Sequence, residues 1–140
     1  MNPTELALLT AASRRPGRRL KRVSAVSDRH YTTLRSAASR LRQAGLLYPA
    51  RPACVLATGR VVPEDFDVDP VCAALLDAGR ARTLTGQPDV VADIATACGT
   101  TPYAVETAIK QLRTLRLLHP WDGLVLTAAG IAALAGAKDA

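Results

Sequence analysis

The chain repeats itself, and a repeat of this length constrains the fold more than any single motif, because both copies must adopt one plan. The segment Leu41-Arg42 … Leu46-Leu47-Tyr48-Pro49 recurs as Leu112-Arg113 … Leu117-Leu118-His119-Pro120, at an offset of 71 residues. The same offset lays Val23 on Ile94, Leu34 on Val105 and Ala37 on Ala108. Upstream the offset becomes 67, where Asn2-Pro3 falls on Asp69-Pro70 and Ala7-Leu8-Leu9 on Ala74-Leu75-Leu76. The difference of four residues is an insertion within residues 79–88, which read as a loop. Loops are where structural repeats tolerate insertions.

Each copy reads as three helices followed by short strands. In the first, Asn2 is an N-cap, Pro3 suits the first helical position and Glu5 completes a capping box. That helix runs to about Ala12, and Arg14-Arg15-Pro16-Gly17 break it. A short helix follows near residues 20–25, and Ser27 or Asp28 caps a third that ends at Ala44-Gly45. On this third helix Tyr31, Leu34, Ala38 and Leu41 form one apolar stripe. The other side carries Arg29, Thr33, Ser36, Arg40 and Gln43, with Arg35 on the flank. Leu46-Leu47-Tyr48, a Pro-containing turn, Val55-Leu56 and Val61-Val62 then predict a β-wing. In the second copy Asp69-Pro70 open a helix, residues 90–97 form another, and Thr101 caps a third beginning at Pro102. Its stripe is Val105, Ile109, Leu112 and Leu115. Leu117-Leu118 and Leu124-Val125-Leu126 flank a turn at Trp121-Asp122-Gly123, and a closing helix spans about 127–137. The expected organisation is a first domain at 1–62, an acidic, Pro-bounded linker at 63–68 and a second domain at 69–140.

This plan resembles the winged-helix superfamily, twice over: mainly α with small β-wings, a tandem winged helix-turn-helix. Leu124-Val125-Leu126-Thr127-Ala128-Ala129-Gly130 and the apolar residues after it look like the wing and following helix of MarR- and PadR-like bacterial regulators. Those regulators usually carry one winged helix with long dimerisation helices, which this chain lacks. Tandem winged helices are also similar to plasmid replication initiators and to ScpB-type subunits of bacterial condensin.

Charge placement says which copy meets a polyanion. The formal net charge is +6 and the sequence pI about 9.8. Residues 1–60 hold twelve Lys/Arg against Glu5 and Asp28, whereas residues 61–140 hold six against ten Asp/Glu, so the halves carry +10 and −4. Six of those cations, Arg14, Arg15, Arg18, Arg19, Lys21 and Arg22, form an approach segment suited to a phosphate backbone. The resemblance implies that the third helix enters a groove of double-stranded DNA, offering Arg29, Thr32, Thr33, Arg35, Ser36 and Arg40, with Arg51 and Arg60 on the wing. A run of cations also serves as a merely solvated face. Tyr31 is expected in the core and His30 at the surface.

The second copy offers Thr101, Tyr103, Thr107 and Lys110, but Glu106 stands where Arg35 stood and Gln111 where Arg40 stood. It is expected to read a further half-site or to serve as a homodimer or protein-partner surface that includes Trp121. A transcriptional regulator is the leading expectation. The alternative is a protein–protein adaptor of a chromosome-organising or replication complex.

Other chemistry is not signalled. Cys54, Cys72 and Cys98 are widely spaced and the two histidines far apart, which excludes the usual zinc spacings. No phosphate loop, nucleophile elbow or carboxylate pair is present, so no enzyme and no cofactor are expected. Neither a signal pattern nor a membrane-spanning stretch is legible, and a cytoplasmic, nucleoid-associated protein is expected.

Overall fold

Asn2 opens the first helix as its side chain dictates, its Oδ1 accepting the Glu5 N–H at 2.9 Å. The computed structural model describes residues 1–27, 29–50, 55–81 and 90–139. Among these are seven helices and one two-stranded antiparallel sheet: α1 (Pro3–Arg14), β1 (Arg18–Arg19), α2 (Leu20–Val26), α3 (Tyr31–Gln43), α4 (Pro70–Ala81), α5 (Val90–Cys98), α6 (Pro102–Thr114), β2 (Gly123–Leu124) and α7 (Ala128–Asp139). No described helix is long and apolar enough to cross a membrane.

The helices and most of their caps follow the sequence reading. Asp69 Oδ1 accepts the Cys72 N–H at 2.8 Å, and Thr101 Oγ1 accepts the Ala104 N–H at 3.2 Å. The ends of α3 and α6 are equivalent. Leu46 N–H donates to Leu41 O and Gly45 N–H to Arg42 O; Leu117 N–H donates to Leu112 O and Arg116 N–H to Arg113 O. Both are Schellman closures, with Gly45 at φ 76° and Arg116 at φ 60° in the left-handed position. Two local expectations fail. α3 begins after His30, which makes no capping bond, while Ser27 Oγ accepts the Arg29 N–H; Asp28 lies outside the described residues. Tyr31, the first residue of α3, is 39% exposed and leaves the buried stripe to Leu34, Ala37, Ala38 and Leu41.

The chain divides into two compact units, but not at the linker the sequence suggests. Unit 1 comprises Met1–Ala50 together with Asp122–Ala140; unit 2 is Arg51–Trp121. In unit 1, α1, α2 and α3 surround Leu8, Leu9, Leu34 and Leu41, and the C-terminal segment adds Leu124 and Leu134 to that core. β2 pairs antiparallel with β1, Arg18 opposite Leu124 and Arg19 opposite Gly123. On its other side the same segment meets residues 46–48. Leu126 bridges to Leu47, Tyr48 N–H donates to Val125 O at 3.0 Å and Thr127 N–H to Leu46 O at 3.2 Å. α7 lies against α1, and Gly130 passes so close to Leu46 that a β-carbon there would collide with the Leu46 carbonyl. The approach segment thus runs from the end of α1 through a turn at 15–17 into β1 and the start of α2.

Unit 2 packs α4, α5 and α6 around Leu75, Val105, Leu112, Leu117 and Leu118. Its strand pairing comes from residues 55–58, which lie before its helices in sequence. Ala57 bridges to Leu118, His119 N–H donates to Leu56 O at 2.9 Å and Thr58 N–H to Leu117 O at 3.0 Å. The wing expected from Val55-Leu56 and Val61-Val62 is not formed: Val55, Leu56 and Ala57 are buried in unit 2, and Val61 is exposed outside any strand. Nor is 63–68 a free linker, since Val62 and Phe66 rest on the unit 2 core. The wing expected between 117–118 and 124–126 is likewise absent, because 123–126 pairs within unit 1. Of the insertion read as residues 79–88, α4 takes residues through Ala81; 82–89 lie outside the described residues.

Candidate nucleic-acid interface

α3 turns a buried face of Leu34, Ala37, Ala38 and Leu41 towards its unit. At 100° per residue the opposite face is centred on Thr32, Ser36, Ser39 and Gln43, with Arg35 on one flank and Thr33 and Arg40 on the other. All seven side chains are exposed. The result is a row of hydroxyl and amide groups with guanidinium at its edge. Ser39, at the middle of this row, was not among the residues expected from sequence, although its spacing from Thr32, Ser36 and Gln43 was there to be read.

The cations around α3 fall into two sets. Arg40 is engaged by α1, its Nε donating to Glu5 Oε1 at 3.4 Å. Arg19 is engaged from the far end of the sequence, its Nε lying 3.0 and 3.1 Å from the two Asp122 carboxylate oxygens. Arg42, half-buried, donates through Nε to Tyr48 O and through Nη2 to Asp122 O, both at 3.3 Å. Burial pulls its pKa below the usual arginine value, and the Asp122 charge opposes that shift. These three arginines fix structure: Arg42 ties the end of α3 to its following strand, as Arg113 does in unit 2 by donating to His119 O at 3.2 Å. Asp122 gives no local sign of this role, being read from sequence as a turn residue of another wing.

The second set is Arg14, Arg15, Arg18, Lys21, Arg22 and Arg35. Among the described residues no ion pair engages any of them, and all but half-buried Arg18 are exposed. Arg14 and Arg15 close α1, Arg18 sits in β1, Lys21 and Arg22 begin α2, and Arg35 stands on α3. Arg29 is half-buried at the rim of a cleft of about 490 Å³, lined by Leu8, Ala11, Val23, Val26 and Leu34. By composition unit 1 holds eleven Lys/Arg against four Asp/Glu and unit 2 seven against eight, so the units carry +7 and −1.

Unit 2 presents a different helix face. Tyr103 is 78% exposed at the start of α6, with Glu106, Thr107, Lys110 and Gln111 exposed beyond it. The Thr101 hydroxyl oxygen is occupied as a cap, and Thr107 Oγ1 donates to Tyr103 O at 2.9 Å. Arg60, expected on the first wing, belongs to unit 2, where its Nη1 points at Leu115 O at 3.5 Å; Arg51 lies outside the described residues. The described residues include no cluster of three or more His, Cys, Asp or Glu able to hold a metal ion.

Comparison with protein-family models, with curated proteins and with solved structures finds no match.

Proposed function

We propose that the protein is a double-stranded DNA-binding protein of the winged-helix type, a transcriptional regulator that uses unit 1 as its reading head. The observation that carries this is the face of α3: Thr32, Ser36, Ser39 and Gln43 in an exposed row, edged by Arg35, in the unit that also holds Arg14 to Arg22 and a charge of +7. Hydroxyl, amide and guanidinium groups are what base edges and phosphates accept. The element order of unit 1 supports the same reading. A helix, a short strand, a helix-turn-helix and two further strands, with the first strand beside the last, is the order a winged helix requires; here the last strand arrives after unit 2. On this reading the protein works at the nucleoid, in the cytoplasm.

Unit 2 has the same helical plan without the charge. Glu106 on its α6 face repels phosphate, whereas Tyr103 and Lys110 suit a mixed surface. We assign it a partner or dimerisation role ahead of a second half-site. The competing reading, an adaptor subunit that binds no DNA, makes the opposite prediction in one experiment. Fluorescence-anisotropy titration of purified full-length protein with random duplex should give affinity that falls steeply with salt, with a log–log slope of about −4 to −5 for roughly five phosphate contacts. No binding at low ionic strength excludes the regulator and favours the adaptor.

A further inference from the structure

The two sequence copies exchange the extended segments that follow their third helices. Thr127 Oγ1 donates to Gly45 O at 2.6 Å and Thr58 Oγ1 donates to Arg116 O at 2.7 Å. Gly45 and Arg116 are the equivalent left-handed residues behind α3 and α6, so Thr58 and Thr127 are equivalent too, as are the strands 55–58 and 124–127. Each strand follows one copy in sequence but completes the other: 55–58 pairs with 117–119, and 124–127 pairs with 46–48. Unit 2 is thus closed by one continuous stretch, Arg51–Trp121, while unit 1 depends on a segment that returns from beyond it.

We infer that this returning segment, 122–139, is a portable closing piece, and that a second copy of the chain takes it up reciprocally to form a strand-exchanged dimer. Within unit 1 the partners of the segment all lie in residues 1–50: β1, Leu47, Tyr48, Leu46, the α1 face, Arg19 and Arg42. None of these bonds depends on both parts belonging to one chain. His119 is bonded within unit 2, so the segment hangs from that unit by Pro120 and Trp121, and the exchange turns on their backbone angles. Pro120 is exposed and outside any regular element, as a hinge of this kind requires. Exchange of an identical element costs little because the closed units are the same in both forms. What favours the monomer is the effective concentration of a tethered segment, about millimolar for a short connection. The exchanged dimer therefore forms when chains fold in concentrated solution. This inference is independent of DNA binding.

The test uses full-length chain unfolded in denaturant and refolded at two concentrations, with size-exclusion chromatography and light scattering as readout. While monomer predominates, the dimer-to-monomer ratio should rise about tenfold for each tenfold rise in chain concentration, and the dimer should keep the circular-dichroism spectrum of the monomer. A Leu47→Cys/Leu126→Cys variant, oxidised after refolding, reports connectivity. The bridge should join two chains in the dimer and lie within one chain in the monomer, whereas the control Ala57→Cys/Leu118→Cys in continuous unit 2 should bridge within one chain in both. Should the buried leucine replacements prevent folding, Arg19→Lys leaves the core untouched. Carbodiimide then links Lys at 19 to Asp122, and a mixture of ordinary and heavy-isotope chains shows whether the link crosses chains. Absence of any dimer, or a dimer whose 47–126 or 19–122 link stays within each chain, overturns the inference.

Discussion

Two arginines that look equivalent in sequence differ in what their guanidinium groups are free to meet. Arg22 begins α2 and is exposed without an ion pair among the described residues, whereas Arg19 is held by both oxygens of Asp122. The reading of unit 1 as a DNA-binding head therefore predicts unequal effects along a single basic run. Lys21→Ala and Arg22→Ala should each lower the magnitude of the salt slope by about one and weaken all duplexes alike. Arg19→Ala and Arg40→Ala should change the slope by less, while Asp122→Asn should strengthen non-specific binding by releasing Arg19. Arg35→Ala and Ser36→Ala should instead alter preference among sequences, by about 1–3 kcal/mol where a base contact is lost. Anisotropy titrations on a set of duplexes at several salt concentrations separate these cases. The cysteines give a second contrast at this scale. Burial, aided by the Asp69 carboxylate, raises the Cys72 thiol from 9.0 to about 11. The folded form therefore holds that proton when the unfolded chain has lost it. The associated stability is fully present below pH 9.0 and is lost as the pH rises through about 11. Cys72 should accordingly resist alkylation near pH 8.5, and half-buried Cys98 should react before it, as peptide mass mapping of a time course will show.

At the scale of elements, the helices were legible and the strand partners were not, for a physical reason. A helix carries its own hydrogen-bond partners within four residues, so Asn2, Asp69, Thr101 and Gly45 announce its ends locally. A strand of three or four residues says only that it needs an edge. Val55-Leu56-Ala57-Thr58 and Leu124-Val125-Leu126-Thr127 are both apolar and both end in threonine, and either satisfies the edge behind α3 or behind α6. Nearest-neighbour pairing is the usual outcome, which is why two local wings were expected. The C-terminal closures of α3 and α6 offer a test that needs no strand. Both end in a left-handed residue, but Gly45 takes that conformation without strain and Arg116 does not. Arg116→Gly should stabilise unit 2 by roughly 1 kcal/mol, and Gly45→Ala should destabilise unit 1 by a similar amount. Thermal melts of the two variants should move in opposite directions.

At the scale of the whole chain, charge and connectivity divide the molecule at different places. The sequence halves at residue 60 carry +10 and −4; the folded units carry +7 and −1, because Asp122, Lys138 and Asp139 travel with unit 1, and Arg51 and Arg60 with unit 2. The basic character of the first copy survives this regrouping, so the placement of the cationic face was readable, while the boundary of the unit that bears it was not. The regrouping has a consequence for fragments. A division drawn from sequence separates 1–62 from 69–140 and leaves each part with the wrong closing strand. The 69–140 fragment loses Val55, a member of the unit 2 core, together with buried Leu56 and Ala57, whereas 51–121 retains every buried residue of that core. The fragment 51–121 should therefore unfold cooperatively, and 69–140 should be much less stable, losing a buried Val and Leu whose removal costs about 2–5 kcal/mol apiece in a closed core. Truncation after Trp121 should do the reverse to the parent chain. Without Leu124 and Leu134 the core of α1, α2 and α3 is open, so helical signal from unit 1 should be lost while that of unit 2 persists. Circular-dichroism melts of the three proteins decide the matter. A cooperative 69–140 fragment beside an unfolded 51–121 fragment would show that strand 124–127 closes its own copy in solution.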